Sequence, residues 1–146
     1  MKIPLQKEIN LRQAVRLGKD ISNADLCNAD LQKTNLRGYD FTDKDMTGIN
    51  LSEAFLTGSN FTGAILNNAN LSGVQIDRIW ERHNNQSIVM MTGADLEKAN
   101  LSSANLRKAD FTNANLKNAN LKGACLKSSC FRNAILSGAD LQGADL

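Results

Sequence analysis

The sequence predicts an all-β solenoid of four-sided coils, and three observations carry that prediction. From Ala94 to Asn120 one five-residue phrase repeats almost without interruption, ADLEK ANLSS ANLRK ADFTN ANLKN AN. Apolar residues recur at the third place of that phrase along nearly the whole chain. Its second place holds Asp or Asn, which bridge their own backbone in turns and are poor helix and strand formers. The last two places vary and are polar.

The period excludes the common elements. Five residues of α-helix overshoot a full turn by about 140°, so leucines at that spacing would build no apolar face. A strand has period 2, so an odd spacing would send successive leucines to opposite faces. A chain that bends at every phrase buries them all. Four phrases make one square coil, and coils stack through backbone hydrogen bonds with Leu and the small Ala inside.

On these residues the chain resembles the pentapeptide repeat family, whose phrase is A(D/N)LXX. The resemblance runs from about Asp20 to Leu146 and implies a right-handed quadrilateral β-helix of about six coils. It implies little about function, because one scaffold serves several roles.

The chain has 146 residues, consistent with one domain, and a net charge of +2. With aromatics at 5%, a conventional globular core is out of reach, but a solenoid coil needs only four core side chains. No apolar run approaches the roughly 20 residues of a membrane span, and the N-terminus has no signal-like stretch. The expectation is a cytoplasmic protein.

Residues 1–19 break the phrase. Leu5, Ile9, Leu11, Ala14, Val15 and Leu17 suggest a short amphipathic cap over the first coil, with Gly18 as a helix stop. The competing reading makes Ile9, Asn10 and Leu11 an irregular phrase of an incomplete coil. The segment is basic, with Lys2, Lys7, Arg12, Arg16 and Lys19 against Glu8.

From Ile21 to Ile76 the third places are Ile21, Leu26, Leu31, Leu36, Phe41, Met46, Leu51, Leu56, Phe61, Leu66, Leu71 and Ile76. From Met91 to Leu146 they are Met91, Leu96, Leu101, Leu106, Phe111, Leu116, Leu121, Leu126, Phe131, Leu136, Leu141 and Leu146. Between the two series lie residues 77–90. If they stayed in the coil, Glu81 and Gln86 would fall at core places. If they loop out, Phe41, Phe61, Phe111 and Phe131 share one face with Ile21 and Met91, a column of stacked rings. The reading is therefore a cap (1–19), three coils (20–76), a loop (77–90) and three coils (91–146).

That register sorts the outward charges. The face of Leu36, Leu56, Ile76, Leu106, Leu126 and Leu146 carries Arg37, Arg78, Arg107, Lys108 and Lys127 against Asp77 and Asp145, a net +3. The Phe face carries Asp20, Asp40, Asp43 and Asp110 against Arg132, a net −3. One face would suit an acidic partner and the other a basic one, or both are ordinary solvated surface.

No catalytic constellation, phosphate loop, cofactor motif or metal-ligand spacing is present, so no enzyme activity, cofactor or metal is expected. The single histidine, His83, stands near Glu81 in the loop. Cys27, Cys125 and Cys130 are expected as free thiols, because Cys125 and Cys130 sit on adjacent faces around a corner. Phe55, Ile65 and Ile135 occupy outward places where Asp or Asn is usual. The loop residues Arg78, Trp80, Glu81, Arg82 and His83 are a candidate partner-binding site, with Trp80 either a contact hot spot or folded back with Ile79 and Ile88. The coil of Phe131, Leu136, Leu141 and Leu146 would offer an open edge, and a weak homodimer through it is expected.

Two functional classes follow. One is a non-enzymatic protein-binding scaffold or regulatory module acting through protein–protein interaction. The other is a DNA-mimicking protein that protects a topoisomerase (gyrase), implied by resemblance to quinolone-resistance members of the family. Direct nucleic-acid binding is disfavoured by the small net charge and the lack of aromatic–basic clustering.

Overall fold

The computed structural model describes residues 11–76 and 88–146. Its repeating unit has five residues: a core residue, a two-residue turn, a small inward residue and a bridging residue that pairs with neighbouring coils. The bridges are parallel and join residues 20 apart, such as Asp30 with Asn50, Asp95 with Asn115 and Asn100 with Asn120. Four five-residue units therefore complete one coil, and every fifth-residue series occupies one of four sides.

Three backbone hydrogen bonds per unit hold adjacent coils together. The Leu101 N–H donates to the Asn120 carbonyl at 2.7 Å, and the Ser103 N–H to the Lys122 carbonyl at 2.8 Å. The Asn120 N–H donates back to the Ala99 carbonyl at 2.9 Å. Donors in the turn and in the bridge are both satisfied, as a structure without long strands requires.

Each corner is a β-turn closed inside its own unit, as in the 3.0 Å bond from the Ala119 N–H to the Leu116 carbonyl. The third residue of the turn adopts positive φ, 59° at Lys98 and 57° at Asn118. This is the type II pattern, which favours Gly and Asn at that place. The fifth place of the phrase is thus the conformationally demanding one, although it reads only as variable and polar. Except for Gly18, all the chain's glycines stand there.

The second place has a different task. Its side-chain oxygen accepts the N–H two residues on, as from Asn100 to Ser102 at 3.1 Å and from Asp140 to Gln142 at 3.0 Å. Asp and Asn therefore shape the entry to the corner rather than its left-handed residue.

Inside, the core residues from Leu26 to Leu126 are nearly all fully buried, with Ala beside them. Where a hydroxyl replaces Ala it bonds within its own turn, Thr34 to the Leu31 carbonyl and Ser59 to the Leu56 carbonyl, both at 2.6 Å. Lys44 also falls at a normally small place, and its ammonium reaches out to the Ser22 carbonyl at 2.8 Å. The aromatic column is interrupted. Phe41 stacks on Phe61 at 5.0 Å and Phe111 on Phe131 at 4.9 Å, with Met91 between the two pairs.

The ladder resolves the register across the central segment. Met90 bridges Asn60, 30 residues back, and Asp110, 20 residues on. The ladder therefore skips ten residues between Asn60 and Met90. The Val89 carbonyl accepts the Asp110 N–H at 3.1 Å, so Val89 and Met90 belong to the ladder. The expected loop 77–90 therefore does not include Val89 and Met90, and its residues 77–87 lie outside the described residues.

At the other end, α1 (Leu11–Arg16) buries Ala14 and Val15 against the first coil. It stops at Gly18, φ 66°, where the Lys19 N–H reaches the Ala14 carbonyl at 2.9 Å and the Gly18 N–H the Val15 carbonyl at 3.0 Å. This is a Schellman closure. Arg12 ties α1 to the rod through Asp30 at 3.3 Å. The earlier part of the cap reading, Leu5 and Ile9, lies outside the described residues.

Two stability predictions follow from this geometry. Gly38 and Gly48 share positive φ, but a Cβ at Gly38 meets open space whereas one at Gly48 falls on the Asn28 carboxamide oxygen. Ala at either position should cost about 1 kcal/mol for the left-handed backbone, with a further loss at Gly48. Adding Asn28→Gly should remove the extra loss in a thermal-melt double-mutant cycle.

The second concerns the excluded stretch. Deleting 79–88 joins Arg78 to Val89 and restores the five-residue spacing, so stability should stay within about 0.5 kcal/mol of the parent. Deleting 77–86 restores the same spacing but puts the β-branched Ile88 at the left-handed place. That variant should lose about 1–2 kcal/mol, read from denaturant midpoints.

Candidate functional site

From Leu26 to Leu126 the core is buried and apolar, so chemistry directed at a partner sits on the outer faces. Bridges fix which residues share a face. Asn35, Phe55 and Gln75 stack in one column, and Asn105, Cys125 and Asp145 continue it through the 2.8 Å bond from the Asn105 N–H to the Val74 carbonyl. The turn residues beside this column include Arg37, Arg107, Lys108 and Lys127, so the structure brings the four cations of the expected basic face to one side.

Their settings differ. The Arg37 guanidinium lies over the Phe55 ring, 4.4 Å from its centroid, and both residues are half-buried. Arg107 is half-buried, and Lys108 is exposed at a left-handed corner with φ 60°. Lys127 pairs with Asp145 at 2.9 Å across one rung. The sequence marked Phe55 as a lone outward apolar residue and missed its partner. The signal was there: the turn residue of one unit leans over the bridging residue of the next coil, 18 positions on.

The opposing chemistry lies on the Phe face. Asp40 accepts from the Thr42 backbone N–H at 3.0 Å and from its hydroxyl at 2.6 Å. Thr42, Thr62, Thr92 and Thr112 form a column beside these acceptors, which the sequence reading had not singled out. The hydroxyl and amide of Thr112 hold the Asp110 carboxyl below its ordinary range against a partial cost of burial. Thr42 does the same for Asp40.

Three cysteines are free, as expected. Cys130 takes a bridging place and stands 3.3 Å from the Thr112 hydroxyl, which, with the Arg132 N–H, lowers its thiol. Ile65 and Ile135 share a face and are 39% and 53% exposed. In the coil of Phe131, Leu136, Leu141 and Leu146, the first three are half-buried and Leu146 is 73% exposed. Among the described residues no group of three or more His, Cys, Asp and Glu could hold a metal ion. No helix among them is long and apolar enough to cross a membrane. The loop candidates Arg78, Trp80, Glu81, Arg82 and His83 lie outside the described residues, as does Asp77.

The family model for pentapeptide repeats matches eight copies over residues 7–43, 45–78, 94–133 and 118–146. The chain belongs to the pentapeptide repeat family. Pentapeptide repeat proteins are right-handed quadrilateral β-helices, in keeping with the four-sided ladder. Among solved structures, the chain is similar to the pentapeptide repeat protein Rfr23 from the cyanobacterium Cyanothece 51142, with 28% identity, 82% of this chain and 88% of that one covered, and a TM-score of 0.61. A pentapeptide repeat protein from Nostoc PCC 7120, alr5209, is 29% identical over 76% of this chain and 83% of its own, with a TM-score of 0.56. QnrB1, a plasmid-mediated fluoroquinolone resistance protein, is 18% identical over 82% of this chain and 80% of its own, with a TM-score of 0.26. A search of curated protein sequences found no match.

The carboxyls predict an acid response. Asp40, Asp110 and Asp140 all titrate below their ordinary value, because the folded chain hydrogen-bonds the charged form. Folding therefore disfavours their protonation, and the stability they contribute is present above about pH 4 and lost as pH falls further. Thermal midpoints should drop steadily from pH 5 to pH 3. Asp40→Asn with Asp110→Asn should flatten that slope.

Proposed function

We propose that this pentapeptide repeat protein is a non-enzymatic protein-binding scaffold or regulatory module, a rod of six coils whose flat sides recruit a protein partner. The observation that supports it best is the segregation of charge. The basic side and the acidic Phe side are columns at fixed spacing on one frame, and such ordered surfaces suit recognition more than catalysis. Free Cys27, Cys125 and Cys130 fit a reducing compartment such as the cytoplasm. The gyrase-protection reading has less support. A TM-score of 0.26 to QnrB1 carries no argument, and the basic side opposes DNA mimicry.

Affinity capture from the native cell tests the proposal, with parent protein, an Arg107→Glu/Lys127→Glu variant and the 79–88 deletion as baits. The expected result is a protein that, once purified, binds the parent directly and is lost with one surface variant of unchanged melting temperature. Identical captured sets for all three baits would overturn it.

A further inference from the structure

We propose that two copies of this chain pair side by side, antiparallel, through the side that carries Ile65, Asp95, Asn115 and Ile135. The two-fold axis runs across the rod between the rungs of Asp95 and Asn115. This goes beyond the scaffold reading and names a partner of its own, the chain itself.

The ladder fixes the strip. Bridges join Ile65 to Asp95, Asp95 to Asn115 and Asn115 to Ile135, so the four stand on consecutive rungs. The turns beside them are tied in the same way. The Lys98 N–H donates to the Lys117 carbonyl and the Asn118 N–H to the Ser137 carbonyl, both at 2.9 Å. Residues 77–87 follow Ile76, which belongs to the basic side, across the rod from this one.

Two isoleucines mark the side. They stand where Asp or Asn is usual, and they are 39% and 53% exposed. A side chain of this kind accepts no backbone N–H, so the fold gains nothing from it at that place. Ile65 and Ile135 lie three rungs apart, about 14 Å. Their midpoint falls between Asp95 and Asn115, and the polar groups of the strip are balanced about the same point. An isologous contact demands this balance, because each group must find its complement at an equal distance beyond the axis. A foreign partner imposes no such symmetry.

Paired in this way, Ile65 meets the partner's Ile135, and Ile135 the partner's Ile65. Asp95 meets the partner's Asn115. That carboxamide donates one N–H to Asp95 of its own chain at 2.9 Å and has a second to give. Glu97 meets the partner's Lys117, since an axis across the rod keeps each edge on its own side. Glu97 pairs only loosely with Lys98, at 3.7 Å on an exposed corner, so it turns to the partner's ammonium at little cost. Neighbouring registers fail. An axis on the rung of Asp95 sets that carboxylate against its own copy, and an axis on the rung of Asn115 sets Ile135 against Asp95. Four rungs of one side make a contact well below the roughly 800 Å² per partner of a standard interface, so the pair is weak. The basic side lies opposite, and the pair presents it outward twice.

Sedimentation equilibrium of the whole protein from about 10 µM to about 1 mM, the range that a small interface requires, tests the proposal. The parent should pass from monomer to dimer. Glu97→Lys and Lys117→Glu each set like charges across the axis and should weaken association roughly ten-fold. Mixed one to one, the two variants should pair as tightly as the parent, because every charge then meets its opposite. Ile65→Asn with Ile135→Asn restores the usual residue at both places and should abolish pairing without lowering the melting temperature. Deletion of 79–88 should leave pairing unchanged. A parent that stays monomeric throughout, a mixture no tighter than its components, or pairing lost with the deletion overturns the inference.

Discussion

A core residue's N–H reaching the carbonyl nineteen residues on, as from Leu101 to Asn120 at 2.7 Å, fixes the place of every side chain in the rod. That bond closes only if each five-residue unit bends through a corner, and the corner requires positive φ at its third turn residue. Lys33, Glu53 and Ser103 accept that conformation, at a cost of roughly 1 kcal/mol or more each. The N–H of the same residue then donates to the next coil, at 2.8 Å from Ser103 to Lys122, which contributes about the same amount in return. The net favourable term is left to the buried Leu and Phe side chains, each worth about 1.5–3 kcal/mol.

The same constraint dictates the surface. Stacking puts like places about 4.8 Å apart, so identical charges in one column would repel at close range. Among the described bridges no Asp pairs with an Asp, although Asp25 and Asp45 hold like places one coil apart outside those bridges. Asp30 bridges Asn50, and the column runs through Asn70, Asn100 and Asn120 before Asp140. There the Asn120 carboxamide donates to Asn100 at 3.1 Å, and in the column of the preceding side that of Asn115 donates to Asp95 at 2.9 Å. Asp and Asn look interchangeable in the phrase, but Asn is the one that stacks, because it both donates and accepts. Ion pairs such as Lys122 with Asp140 and Lys33 with Glu53 obey the same vertical rule.

What the sequence revealed and what it hid divide along that line. Inward places have one physical demand, dryness, so Leu101 or Phe111 could be assigned from spacing alone. The phenylalanines fixed the register across the central segment because their 20-residue recurrence survives only if ten residues are set aside. The edge of that segment was misplaced because Val89 and Met90 are atypical for small and bridging places. Fifth-place conformation was hidden because Lys98 and Glu53 give no composition cue, although Gly and Asn elsewhere in that column do. The candidate site was legible as a charge count but not as a contact, since Arg37 over Phe55 depends on the lean of a turn residue toward the next rung.

Phe55 shows how a surface of this kind is open to function. At its place an Asp or Asn would accept the N–H two residues on, a bond worth about 1 kcal/mol. Phenylalanine gives that up. In return its ring receives the Arg37 guanidinium at 4.4 Å, worth about 0.5–1 kcal/mol or somewhat more at such a half-buried site. The two nearly cancel, and the backbone ladder from Phe55 to Thr34 at 3.0 Å and from Leu36 to Phe55 at 2.9 Å is untouched. An outward side chain can therefore be exchanged for a recognition group at almost no cost to the fold, because the bonds that define the coil belong to the backbone and the burial belongs to Leu. In the same column Asn105 keeps the usual residue, yet its carboxamide oxygen is buried with no hydrogen-bond partner, so the regular side chain is not always the better satisfied one. A rod of this design keeps its stability inside and its variation outside, and the basic side is where that variation has gathered charge and an aromatic ring together.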